Sequence, residues 1–163
     1  MAAARAIPFV AAVVLASCGY HLARTDRTVH VALSSEGTSH PDAVPALQGA
    51  LAAALRDAGV RIGSDGEFEE LSVVLLESSE TAAMPAGTID EGFQSTSWDV
   101  RLGASATLLL PDGTLVDLGT FEAGALEAAG PTALTDDAAQ GTAVDLAARS
   151  LADRIAAAVI AAR

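Results

Sequence analysis

This sequence has little cysteine and no lysine, and the shortage of cysteine excludes several kinds of site. The chain of 163 residues has one cysteine, which excludes an internal disulfide, a CxxC redox pair and a cysteine-based zinc cluster. It has no lysine, and its 9 basic residues, all arginine, face 21 acidic residues. The formal net charge of −12 repels phosphate backbones and argues against nucleic-acid binding and against peripheral binding to anionic lipid through a basic patch.

Aromatic residues are also scarce, at 4% of the chain, although apolar residues as a whole make up 51%. An apolar fraction of this size is enough for a folded core and argues against intrinsic disorder. Much of it is alanine, which predicts a thin core built from leucine, valine and alanine. The chain length suits one domain with a real core rather than two.

The N-terminus has the layout of a secretory signal. Arg5 and the amino terminus supply positive charge, an uncharged apolar run extends from Ala6 to Ala16, and small residues precede Cys18. The run is too short to span a membrane, which needs roughly 20 apolar residues. Leu15-Ala16-Ser17-Cys18 resembles the lipobox of bacterial lipoproteins, which implies cleavage between Ser17 and Cys18 and lipid attachment to the Cys18 sulfur.

This resemblance divides the chain into a signal peptide over 1–17, a lipidated tether over 18–27 and a single α/β domain over 28–163. Several acyl chains on Cys18 give stable membrane anchoring, whereas one chain alone is marginal. Gly19 stands where many enterobacterial lipoproteins of the inner membrane have aspartate, and this favours the outer membrane. The alternatives are a buried N-terminal helix and a plain signal peptide with an incidental cysteine.

Strand and helix patterns alternate along the first half of the mature sequence. Strands are predicted over Thr28–Leu33, which alternates and is β-branched, and over Leu71–Leu76, which is almost continuously apolar. Between them, Pro41–Gly59 has an apolar stripe at helical spacing and ends on a glycine suited to a helix C-terminus.

A β-hairpin and a long helix complete the pattern. Ser95–Leu110 alternates between apolar and polar residues, and the turn Pro111–Thr114 leads into a return strand over Leu115–Leu126. A final helix is predicted to begin with Thr135 as N-cap and to end near Ala162. The order β-α-β-β-β-α predicts an α/β (α+β) two-layer sandwich, in which two helices cover one face of a four-stranded, mixed and mostly antiparallel sheet.

The sequence contains no catalytic or metal-binding motif, which predicts a protein that is not an enzyme and needs no cofactor. Its three histidines are dispersed and form no HExxH or HxH motif. No nucleophile elbow surrounds Ser34 and Ser35, which lie near His40 in sequence, and the acidic residues after position 66 lack the spacing of an EF-hand loop. A helix start explains the paired aspartates better than an acid–base pair. The histidines, serines and acidic residues to which this applies are His21, His30, His40, Ser34, Ser35, Glu67, Glu69, Glu70, Asp136 and Asp137.

The segment from Ser79 to Gln94 is long for a hairpin connection. Exposed apolar residues on a long loop often mark a contact with a partner protein. Met84, Ile89 and Phe93 are therefore the candidate partner-binding residues. A loop folded over its own core is an equally good interpretation.

The run Cys18-Gly19-Tyr20-His21-Leu22 resembles the start of mature LptE-type lipoproteins, in which a Cys-Gly-aromatic-His-Leu run follows the lipobox. The helix ending over Leu55–Val60, the run Ala106–Pro111 before a tight turn, and the final alanine- and leucine-rich helix are similar to the same family. The resemblance implies a subunit of the outer-membrane lipopolysaccharide translocon. In that family the domain sits as a plug inside a large β-barrel, LptD, helps it to assemble, and binds lipopolysaccharide.

Charge and composition select among the roles that this resemblance implies. Thr81–Thr96 has no basic residue and only Arg101 lies nearby, so a plug or assembly role is favoured over direct binding of lipopolysaccharide. The main alternative is an auxiliary lipoprotein of an envelope transporter for lipid or another small ligand, which predicts an internal apolar cavity and no barrel partner. A periplasmic hydrolase is the third possibility and requires His30 or His40 beside a carboxylate in a pocket.

Overall fold

The computed structural model describes residues 27–36, 42–64, 67–83, 97–129 and 132–162. The predicted α+β class and the two helices are confirmed, but the sheet has five strands instead of four. The signal peptide, Cys18 and the tether before residue 27 lie outside the described residues. In chain order the elements are β1 (Thr28–Ser35), α1 (Ala43–Asp57), β2 (Arg61–Ile62), β3 (Glu69–Ala83), β4 (Ser97–Leu109), β5 (Leu115–Ala128) and α2 (Ala133–Ala161).

The sheet is mixed, with the spatial order β2-β1-β3-β4-β5. β1 runs parallel to both of its neighbours, β2 and β3, whereas β4 is antiparallel to β3 and to β5. A parallel pair needs a crossover connection, and α1 supplies it between β1 and β3. The prediction missed β2 because this strand has only two residues, too few to show a periodic pattern.

β3 is much longer than the predicted strand over Leu71–Leu76. Glu69 and Glu70, which lie outside the predicted strand, begin the observed one, and Ser79–Ala83, predicted to begin the long hairpin connection, pair with β4. These predictions were wrong because backbone pairing with a neighbouring strand stabilises polar residues as well as apolar ones.

A β-bulge explains why the apolar pattern of β3 stops in the middle of the strand. The register between β3 and β4 shifts between Leu75 and Glu77. One extra residue reverses the alternation of inward and outward side chains. Leu75 is buried before the bulge, whereas Ser78 is buried and Glu77 is exposed after it.

The two helices form one layer that covers one face of the sheet. They contact each other, and α2 also packs on β4 and β5. The predicted inward face of β4 is confirmed, and each fully buried leucine or valine contributes about 1.5–3 kcal/mol to stability. The buried residues of β4 are Val100, Leu102, Ala104, Ala106 and Leu108, and those of the helices include Leu47, Leu51, Leu55, Ala147, Leu151, Ile155 and Val159.

The C-terminus of α1 directs the chain into β2. Gly59, predicted to follow the helix, has a φ of 82° and donates its N–H to the Arg56 carbonyl at 2.9 Å. The Val60 N–H reaches back to the Leu55 carbonyl at 2.9 Å, and the Val60 side chain is buried. This is a Schellman motif, which satisfies the last carbonyls of the helix and reverses the chain.

The N-terminus of α2 lies three residues before the predicted start. Thr132, and not Thr135, is the N-cap, and its hydroxyl accepts the Thr135 N–H at 3.3 Å. The Thr135 hydroxyl in turn accepts the Thr132 N–H at 3.0 Å. The correction follows from this reciprocal capping box, which uses both threonines and therefore places the helix start at the first of them.

Arg27 joins four elements at one end of the sheet. Its Nε donates to Glu69 Oε1 at 2.8 Å, its Nη2 forms a second bond to the same carboxylate, and its Nη1 donates to the Val159 carbonyl at 3.0 Å. Its own carbonyl accepts the Arg61 N–H at 3.0 Å. The two side chains of the ion pair are only 17% and 13% exposed, so water screens them weakly.

We expect Arg27→Ala to lower the free energy of unfolding by about 2–3 kcal/mol, because it leaves the Glu69 carboxylate unpaired in a partly buried position. Arg101→Ala is the control: Arg101 is 75% exposed and its bond to Asp99 is 3.3 Å long. It should cost less than about 0.5 kcal/mol. Urea unfolding followed by the fluorescence of the one tryptophan measures both changes. Equal losses in the two variants would contradict the role given to Arg27.

Candidate interaction surface

The residues that were candidates for chemistry do not assemble into a site in the described part of the chain. Within those residues, no group of three or more histidine, cysteine, aspartate or glutamate side chains could hold a metal ion. His30 is exposed on β1, and its ring lies edge-on to Phe68 with the centroids 5.8 Å apart. Several predicted site residues lie outside the residues that the structure describes: Ser17, Cys18, His21, His40, and the predicted partner-binding residues Met84, Ile89 and Phe93.

Asp136 has a structural contact that the sequence did not reveal. The Trp98 indole N–H donates to Asp136 Oδ1 at 2.7 Å, which ties the start of β4 to the first turn of α2. Asp137, the other candidate of the pair, is exposed. The contact spans 38 residues in sequence, so no local pattern could predict it.

Trp98→Phe should lower the free energy of unfolding by about 1–2 kcal/mol, because it removes a hydrogen bond to a charged acceptor. The same replacement in an Asp136→Ala background should cost clearly less, since the acceptor is already gone. Thermal and urea unfolding followed by circular dichroism measure the four variants of this cycle. An equal cost in both backgrounds would show that the bond does not stabilise the fold.

The sheet face opposite the helices is a candidate interaction surface. In the described residues no helix lies on this face, and its side chains are exposed or half-buried. Strand pairing arranges them in rows that run across β3, β4 and β5. Two neighbouring rows are Glu77–Gly103–Glu122 and Ser79–Arg101–Gly124.

A depression of about 460 Å³ lies where two glycines interrupt these rows. Gly103 and Gly124 have no side chains to fill it, and Glu77, Glu122, Arg101 and Arg154 contribute to its lining. These four side chains carry two charges of each sign. The depression therefore suits a polar surface group better than an isolated ion or an apolar ligand.

The turn between β4 and β5 follows the prediction for Pro111–Thr114. Gly113 has a φ of 84°, and the Thr114 N–H donates to Asp112 Oδ1 at 2.9 Å. This backbone hydrogen bond holds the pKa of the Asp112 carboxyl below its ordinary value.

The outer strand β5 has its own bulge near the turn. The register with β4 shifts between Ala106 and Thr107, Gly119 has a φ of 94°, and Asp117 Oδ1 accepts the Gly119 N–H at 2.8 Å. After the bulge the strand is regular. Arg154 of α2 reaches this strand and donates from Nη1 to the Glu122 carbonyl at 2.9 Å.

Gly119→Ala should lower the free energy of unfolding by about 1–2 kcal/mol, because a side chain is strained at a positive φ. Gly103→Ala is the matched control, since its Cβ would meet only ordinary contacts, the nearest being the Glu77 Cβ at 3.8 Å. That change should be neutral or slightly stabilising, because alanine loses less conformational freedom on folding. Chemical denaturation compares the two. A loss at Gly103 as large as that at Gly119 would contradict the assignment of the bulge.

Neither helix of the described chain is long and apolar enough to cross a membrane. No family model and no curated protein matches the sequence.

Solved structures share the fold. Rare lipoprotein B from Shewanella oneidensis is 18% identical, with a TM-score of 0.50 over 81% of this chain and 94% of that chain. A putative lipoprotein from Caulobacter crescentus is 16% identical, with a TM-score of 0.51 over 81% of this chain and 90% of that chain. The likeness at these identities is one of fold, and the fold is one that bacterial lipoproteins adopt.

Proposed function

We propose that this chain is an outer-membrane lipoprotein, anchored through Cys18, that acts as plug and assembly partner of a large LptD-like β-barrel in the lipopolysaccharide translocon. The observation that carries the proposal is the joint occurrence of the lipobox, the Cys18–Leu22 run that resembles LptE-type lipoproteins, and a fold found in bacterial lipoproteins. The Cys18–Leu22 run supports a relation to LptE-type lipoproteins, and the fold is compatible with that relation.

The position of Arg27 fits a domain held close to a membrane. A lipid on Cys18 would be joined to Arg27 by a tether that spans at most about 30 Å. Arg27 is itself fixed to β3 and to the end of α2. A pull on the tether would therefore be resisted by the hydrogen bonds that Arg27 makes to β3 and α2.

The polarity of the domain fits the interior of an outer-membrane barrel, which is polar and filled with water. A plug in such a lumen needs polar groups on all of its surfaces, including the sheet face that the helices leave open. That face has serine, threonine and carboxylate side chains along its strands: Ser72, Glu77, Ser79, Asp99, Ser105, Thr107, Asp117, Thr120 and Glu122.

The proposal does not extend to direct binding of lipopolysaccharide. On β3, β4 and β5 the only arginine is Arg101, and it already donates to Asp99. An anionic glycolipid on this face would meet more carboxylates than guanidinium groups, even when Arg154 of α2 is counted. Repulsion between like charges disfavours such a complex.

The test is an affinity pull-down of the full lipoprotein from detergent-solubilised envelopes, with mass spectrometry of the proteins that co-purify. A large outer-membrane barrel in stoichiometric amount is the expected result. Cys18→Ser is the control, because it should move the protein from the membrane to the soluble fraction and remove the mass of the acyl chains.

Two results would contradict the proposal. Recovery without any barrel would remove the plug role, and recovery with an inner-membrane transporter would favour the auxiliary-lipoprotein alternative. An unchanged mass and membrane fraction in the Cys18→Ser variant would instead contradict the lipid anchor.

A further inference from the structure

The outward edge of β5 is the longest strand edge of the described sheet. At the other side of the sheet the outer strand, β2, has only two residues. Within the described chain no strand pairs with β5 on its outward side, and Thr120–Ala128 pairs with β4 without a register shift. Such an edge presents backbone donors and acceptors that can template another strand.

The bond from Arg154 shows which residues of β5 present their backbone to this edge. The Glu122 carbonyl points outward, because it accepts a hydrogen bond from a side chain that comes from α2. In an antiparallel pair the N–H and C=O of one residue point to the same side, and the direction alternates along the strand. The backbone N–H and C=O groups of Thr120, Gly124 and Leu126 therefore point to the outer edge, like those of Glu122.

The ends of this edge are defined by structure. The bulge at Gly119 interrupts the regular strand on one side, and β5 ends at Ala128 on the other. Bulges and charged side chains are the usual means by which proteins block an exposed strand edge. Between Thr120 and Ala128 the exposed side chain of Arg154 bonds to the Glu122 carbonyl, and a partner strand can replace that hydrogen bond.

The side chains along this edge define what could pair with it. The stretch has two carboxylates, Glu122 and Glu127, and no basic residue. Leu126 is 67% exposed, which leaves an apolar side chain without cover among the described residues. Opposite charges and apolar pairs across neighbouring strands are stabilising, whereas like charges are destabilising.

We propose that the β5 edge from Thr120 to Ala128 is a docking site for an extended basic segment of a partner protein, which adds to the sheet as a further strand. In antiparallel pairing the segment has an apolar residue opposite Leu126 and, four residues later, a lysine or arginine opposite Glu122. A backbone N–H of the segment replaces Arg154 as the hydrogen-bond donor to the Glu122 carbonyl. A second copy of this chain is a poor occupant, because two acidic strands would face each other across the new ladder. This inference does not depend on the proposed function.

The probe is a fluorescently labelled nine-residue peptide with valine opposite Leu126 and lysines opposite Glu122 and Glu127, titrated into the full chain in detergent at low salt. Fluorescence anisotropy gives its dissociation constant. A peptide with glutamate in place of both lysines should bind at least about fivefold more weakly, since it places like charges across the ladder. Equal binding of the two peptides would overturn the proposal.

Arg154→Ala and Arg149→Ala form a matched pair of variants. Both arginines are exposed on α2, and each change removes one positive charge, but only Arg154 bonds to the β5 edge. Arg154→Ala should tighten peptide binding about threefold relative to Arg149→Ala, because it frees the Glu122 carbonyl. Identical affinities of the two variants would overturn the proposal, because the Glu122 carbonyl would then take no part in binding.

Leu126→Pro tests the backbone of the edge. Proline removes an outward N–H and leaves the bonds to β4 in place, and it is tolerated on edge strands. It should weaken binding about tenfold, and Leu126→Thr, which keeps the N–H, should weaken it about threefold. If the proline variant fails to fold, the arginine pair still decides. A dimer of the native chain that Leu126→Pro dissociates would assign the edge to a second copy and overturn the proposal.

Discussion

The buried row of apolar side chains on β4 is the constraint on which the arrangement of the domain depends. Val100, Leu102 and Leu108 face the helices, and β4 is hydrogen-bonded to a strand on each side. Since successive residues of a strand point to opposite faces, burial of this row forces Asp99 and Arg101 onto the other face. One strand therefore contributes to both the core and the open polar surface.

The two ends of the sheet differ in a way that bears on function. At one end Arg27, directly before β1, bonds to Glu69 of β3 and to the Val159 carbonyl near the C-terminus of α2. At the other end Ala83 pairs with Ser97, and Ser97 pairs with Ala128. The segment with the predicted partner-binding residues therefore leaves and re-enters the sheet beside the end of the proposed β5 docking edge.

The described residues present two candidate interaction surfaces, the open sheet face and the β5 edge. The open face combines small hydroxyl side chains with carboxylates, and its depression over Gly103 is lined by charges of both signs. Such a surface is suited to a wet, polar environment in which contacts are broad and individually weak. The β5 edge differs because its backbone groups have direction, and strand addition there gives register and orientation.

The elements that could be predicted from the sequence are those whose signals are local. The alternation of β4, the Pro111–Thr114 turn, the glycine that ends α1 and the apolar stripes of both helices all follow from side-chain periodicity and backbone preference. Tertiary structure alone decided what depends on distant partners. β2 forms because β1 lies beside it, β3 continues past Leu76 because β4 pairs with its polar residues, and Arg27 meets Glu69 across 42 positions. Hydrogen bonds and ion pairs between residues that are distant in sequence depend on how the chain folds. A local sequence pattern therefore cannot predict them.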